Sequence, residues 1–186
     1  MSSDAPSSTI AANTNTSAEP AHPTPLTGAI ILGILVVAAV AYVAVNLEIG
    51  RTDFWAGFLF LTYWMAAEQA KPGAFLSCAV GAVVGTGLAL ALQILPPLYG
   101  VDGMAAAYVL ILGAIYLQII GKAHIAINFS TMIFLTMCAA VPMQAHVKIL
   151  TVFPALIAGI IFWGGLILGG QKIAATVQAR KAAAAT

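Results

Sequence analysis

The sequence predicts an all-α polytopic membrane protein. Six transmembrane helices are expected, set as a 3+3 inverted repeat with broken second helices. Three observations carry this. First, 61% of the 186 residues are hydrophobic and only 7% are charged, with mean hydropathy +1.00. A soluble domain carries about 25% charged residues, so most of this surface must face lipid. Second, apolar runs near bilayer length alternate with short polar or Gly/Pro-containing breaks. Third, Phe60-Leu61-Thr62 recurs as Phe134-Leu135-Thr136, with Ala-Ala and then a proline following in both places.

Residues 1–26 are rich in Ser, Thr, Ala, Asn and Pro and lack Lys or Arg. Without an apolar h-region they do not read as a signal peptide. They cannot bury enough surface to order themselves, so a disordered polar tail is expected, with His22 solvated. The membrane domain then occupies 27–170 and a cytoplasmic C-terminal tail 171–186.

The first helix is expected over 27–47, roughly the 20 residues a bilayer needs. Glu48, Arg51 and Asp53 follow as a polar loop. The second covers 54–69, short for a span, and Lys71-Pro72-Gly73 stops it. The third covers 74–95 and carries Gly81 and Gly85, whose i, i+4 spacing lets another helix approach closely. Pro96-Pro97 opens a loop. The fourth covers 104–120. The fifth covers 124–141 and is the most polar. The sixth covers 149–170, with Gly165 and Gly169 as a second small-xxx-small pair.

Six spans place both termini on one side. Lys71, Lys122, Lys172, Arg180 and Lys181 fall with the termini, and Arg51 and Lys148 fall opposite. The positive-inside rule therefore puts the termini in the cytoplasm. If the halves repeat, three helices per half make the second enter from the opposite side, as in inverted-repeat transporters; the alternative is six helices without symmetry.

Polar groups inside a bilayer face protein or water. His124, Asn128 and Thr131 are spaced i, i+4, i+7 and would share one helical face. Two readings stand open: they line a solute path, or they only bond helix to helix. Thr62 and Thr136 occupy matching repeat positions, and Gln69 shares a face with Thr62. A threonine alone often just bonds its own helix. Glu68 and Lys71, three apart, form either a plain interfacial ion pair or a charged cytoplasmic mouth.

Chemistry is otherwise sparse. The net charge of +1 offers no face to nucleic acid. Cys78 and Cys138 sit in apolar runs and read as small core residues. His124 and His146 have no acid nearby, so no metal site, cofactor or catalytic set is expected.

Phe54-Trp55-Ala56-Gly57-Phe58, followed by the broken turn and the glycine-rich third helix, resembles a family of short bacterial inner-membrane proteins, the domain of unknown function one-zero-nine-seven. The resemblance spans about 27–170. It implies architecture and location and lends no catalytic residues, because the family has no established activity. Members tend to have a smaller turn after the second helix than Glu68-Gln69-Ala70-Lys71 here.

The expectation is a small inner-membrane channel or transporter for a small polar, neutral or weakly charged solute. Thr62, Gln69, His124, Asn128, Thr131 and Thr136 would line the path. A homo-oligomer would form through the glycine faces of the third and sixth helices. The alternative is a non-transporting accessory or scaffold subunit of a larger membrane complex.

Overall fold

In a computed structural model, residues 25–184 are described and all regular elements among them are helices. They are α1 (Pro25–Glu48), α2 (Trp55–Glu68), α3 (Pro72–Ile119), α4 (Phe129–Ala139), α5 (Val141–His146) and α6 (Ile149–Ala183). Three are long and apolar enough to cross a membrane: Gly28–Glu48, Pro72–Ile119 and Ile149–Ala183. Among the described residues the regular structure is all helix, as the apolar runs near bilayer length predict. Of the expected disordered tail, 1–24 lie outside the described residues, as does His22; Pro25 and Leu26 open α1.

The chain divides into two units, 1–39 and 40–186. The described part of the first is the beginning of α1, whose Ile30, Leu32, Ile34 and Val37 are exposed. The rest concerns the second unit.

Its centre is four helical segments: α2, the first arm of α3, α4 and α6. Phe60, Trp64, Ala82, Phe134, Val152 and Leu156 form one buried cluster among them. Ala89, Leu135, Cys138 and Ile149 form a second. Phe75 stacks edge-on against Trp64 and Phe60, closing the α2–α3 hairpin. Such ring pairs add about 1 kcal/mol each beyond burial.

Two helix pairs run parallel and touch through glycine. Gly57 of α2 meets Gly159 of α6; a Cβ on Gly57 would lie 2.9 Å from the Gly159 Cα. Further along the same pair, Gln171 reaches the carbonyl of Ala70 at 3.0 Å. On α3, a Cβ at Gly85 would collide with the Thr131 carbonyl of α4. Only the missing side chains permit these backbone approaches.

The expected third and fourth helices are one element with a sharp bend. Pro96 and Pro97 continue it, and the break falls at Gly100 with φ 59°, ψ −131°. That backbone is open only to glycine. Past the bend, Gly103 packs against Leu95 and Ile111 reaches the Ala89 cluster, so the second arm returns along the first.

The expected fifth helix is shorter than its apolar run. Residues 120–128 are irregular, and α4 starts at Phe129. Ala140 (φ −59°, ψ 140°) separates α4 from α5. The sixth runs past its expected end, to Ala183, because the alanine-rich 171–183 stretch has strong helix propensity.

Ala123, exposed in the irregular stretch, has φ 62°. This left-handed backbone costs an L-residue about 1–2 kcal/mol and glycine nearly nothing. Ala123→Gly should therefore raise stability by about 0.5–1 kcal/mol after glycine's unfolded-state entropy is counted. Thermal unfolding in detergent checks this; a loss of stability would show that the turn tolerates alanine without strain.

Candidate functional site

Backbone that leaves a helix exposes N–H and C=O groups that need other partners. The irregular 120–128 stretch is such a place, and Asn128 handles most of it. It is the N-cap of α4, with extended backbone (φ −145°). Its Oδ1 accepts from the Thr131 N–H at 3.3 Å, and Thr131 Oγ1 accepts from the Asn128 N–H at 3.2 Å. This is a reciprocal capping box with threonine at the third position.

The Asn128 Nδ2 faces four acceptors: Ser77 O at 2.8 Å, Ser77 Oγ at 3.0 Å, His124 O at 3.1 Å and Ile125 O at 3.3 Å. Two hydrogens serve four oxygens, so the bonds are shared. Ser77 Oγ also donates to His124 O at 3.2 Å, and Thr131 Oγ1 to Ala126 O at 2.8 Å. Gly81 makes room, since a Cβ there would strike the Asn128 amide.

The α4–α5 break is treated the same way. Gln144 Nε2 donates to Cys138 O at 2.7 Å and Ala89 O at 3.2 Å. Gln93 Nε2 donates to Val147 O at 2.7 Å and Gln144 O at 3.1 Å, while its Oε1 accepts from the Ile149 N–H at 2.8 Å. After α2, Trp64 Nε1 donates to Lys71 O at 3.1 Å and Gln171 Nε2 to Ala70 O. Four amide side chains thus cover the ends of the short helices.

The sequence-derived residues separate into three groups. Asn128 and Thr131 meet in the capping network, but His124 lies in the irregular stretch and is exposed. The three therefore do not form a helical stripe: the i, i+4, i+7 face presupposed a helix that starts at Phe129 instead. Thr62 and Thr136 are exposed, and each bonds its own helix, at Phe58 O (2.8 Å) and Met132 O (2.7 Å). Gln69 is exposed with φ 52° at the end of α2. Glu68 and Lys71 are joined by backbone, the Lys71 N–H donating to Glu68 O at 3.0 Å.

The glycine pairs also divide. Gly81 and Gly85 are filled from within the chain by Asn128 and α4, whereas a Cβ on Gly165 or Gly169 would meet nothing within 4 Å. A groove of about 330 Å³ lies where α2 and α4 adjoin, lined by Leu59, Phe129, Met132, Ile133, Thr136 and Met137. Thr136 alone of these is polar. Cys78 and Cys138 are buried and unbridged, and no cluster of three metal-ligating side chains occurs among the described residues.

Sequence reasoning missed Ser77, Gln93, Gln144 and Tyr42. Tyr42, 2% exposed, sits over the Gly57–Gly159 crossing and donates to Ala155 O at 3.3 Å. Asn128-x-x-Thr131 ahead of an apolar run was the signal for a helix start. The glutamines carried no such local signal. No family model, no curated protein and no solved structure matches this chain.

Proposed function

We propose that the chain is a small channel or transporter of the bacterial inner membrane, crossing it six times as a 3+3 inverted repeat. The observation that carries this is a pair of offsets. Thr131 lies 74 residues after Gly57, and Gly159 lies 74 after Gly85. The α2–α6 contact (Gly57–Gly159) thus corresponds to the α4–α3 contact (Thr131–Gly85). The same offset relates Leu59 to Ile133, which adjoin the α2–α4 groove.

Short paired helices with capped, irregular ends are the construction transporters use around a solute path. At about 1.5 Å per residue, α2 (14 residues) and α4 (11 residues) fall short of a core about 30 Å thick. A protein that merely spanned the membrane would avoid the backbone breaks and the amides that cover them.

In this reading the exposed α2–α4 face, with Thr62 and Thr136, lines the path in a homo-oligomer. Gln69 and the Glu68–Lys71 turn stand at its cytoplasmic mouth with His124. Asn128 and Thr131 shape it from behind. The solute is small, polar and neutral or weakly charged, and no catalytic step is involved. Both termini are cytoplasmic, by the same lysine and arginine distribution. Kinship with the family resembled at Phe54-Trp55-Ala56-Gly57-Phe58 belongs to this proposal.

A second reading, an accessory subunit of a larger complex, is favoured by one observation: the intramembrane amides are occupied by carbonyls of their own chain. Flux separates the two. Proteoliposomes containing the full chain should swell with urea-sized neutral solutes. The Thr62→Val/Thr136→Val double variant should lose that flux several-fold while stability stays within about 0.5 kcal/mol of wild type, since each hydroxyl bonds only its own helix. Equal swelling of loaded and empty vesicles for every solute tested would select the accessory role.

A further inference from the structure

A groove of about 430 Å³ runs along α6, walled by Phe75, Gly164, Gly165, Leu168, Gly169 and Lys172. It passes at Ile160 and Ile161 into a second apolar groove of about 290 Å³ over Val83 and Ile157. Gly164 is accounted for within the chain, because a Cβ there would strike the Phe75 ring. Gly165 and Gly169 are not: a Cβ on either meets nothing within 4 Å. Glycine inside a helix costs about 1 kcal/mol relative to alanine, and here no internal packing offsets it. The groove is open, apolar along its length and cationic at one end.

We propose that this groove binds one anionic phospholipid, an acyl chain lying over Gly165 and Gly169 and the phosphate at Lys172. The dimensions fit a single leaflet. From Lys172 to Ile161 the helix rises about 16 Å, against about 15 Å for half the hydrocarbon core. Lys71, one turn before Phe75, falls at the same end but does not line the groove, and Glu68 lies three residues before it, so the phosphate is assigned to Lys172. Charge also argues against a second copy as occupant. Two α6 helices crossing at Gly165 and Gly169 about a two-fold axis would bring their Lys172 ammoniums together, whereas a phosphate neutralises one. The inference rests on the bilayer placement proposed above but not on transport, so a chain without flux still passes or fails this test.

The test is lipid retention by the full chain in non-ionic detergent, titrated with dioleoyl phosphatidylglycerol or dioleoyl phosphatidylcholine and read by native mass spectrometry. One phosphatidylglycerol should be held about five-fold more tightly than phosphatidylcholine, the factor one lysine contributes at an anionic lipid. Lys172→Gln should erase the preference and keep the weaker phosphatidylcholine occupancy. Gly165→Leu/Gly169→Leu should lose both lipids, while Gly113→Leu, at another exposed glycine with nothing within 4 Å of its Cβ, should lose neither. Equal retention of the two lipids by wild type overturns the proposal. So does a change of oligomeric mass in Gly165→Leu/Gly169→Leu with lipid retained, which would assign the groove to a second copy.

Discussion

Gly85→Val and Gly159→Val should each cost about 3–5 kcal/mol, enough to remove most folded protein from detergent extracts. The reason is what the new side chain meets. At Gly159 a Cβ would strike the Gly57 Cα and come within 2.9 Å of the Tyr42 hydroxyl. At Gly85 it would strike the Thr131 carbonyl and lie 3.0 Å from the Leu135 nitrogen and the Phe134 Cβ. These obstacles are mainly backbone, which cannot rotate aside as a side-chain tip can. Relief requires separating α2 from α6, or α3 from α4, and opening the Phe60, Trp64 and Phe134 cluster that both crossings hold shut. Gly87→Ala is the internal control: its nearest neighbour is Phe153 Cζ at 4.0 Å. It should be tolerated, gaining up to about 1 kcal/mol from helix propensity. Thermal unfolding in detergent reads all three. Valine variants as stable as Gly87→Ala would mean that the helices are not in backbone contact.

The same crossings show what the sequence could and could not reveal. The lipid-facing character followed from 7% charge and the helical class from apolar runs near bilayer length. The short α2 followed from Lys71-Pro72, and Gly81 and Gly85 lie where Asn128 and α4 come near α3. What could not be read was the partner. Gly81 and Gly85 were expected to face another subunit, yet Asn128 and α4 of the same chain fill them. Spacing says that a backbone can come near, not whose.

Pro96-Pro97 misled for a related reason. Each proline forfeits the N–H bond to the carbonyl four residues back, at Leu92 and Gln93, yet the helix continues through both. The bend then falls at Gly100, where backbone freedom is greatest. His124 misled most. A polar face at helical spacing is meaningful only if the helix exists, and Asn128 ends it by capping the segment that follows. Gln93, Gln144 and Gln171 act on carbonyls far away in sequence or beyond a break, so no local pattern announces them.

Asn128→Leu should be destabilising by about 3–4 kcal/mol. It removes the cap on Thr131 and the part-buried bonds to Ser77 O and Ser77 Oγ, and sets an apolar side chain against those oxygens; each part-buried bond so lost costs about 1–2 kcal/mol. Asn128→Asp tests which half of the amide matters. It keeps an acceptor for the Thr131 N–H but turns oxygen toward Ser77 O, Ser77 Oγ and two further carbonyls. If donation dominates, aspartate should be at least as damaging as leucine at neutral pH and should recover partly on acidification, when the protonated carboxyl regains one donor. Ser77→Ala, which removes one shared contact, should cost about 1 kcal/mol. The pattern separates the two roles open to this residue. A solute ligand replaced by leucine changes flux and leaves unfolding in place. A structural donor replaced by leucine moves the unfolding transition before any solute is added. Asn128 is held by four acceptors of its own chain, so the unfolding shift is the expected result, and flux should fall only in proportion to the folded protein that remains.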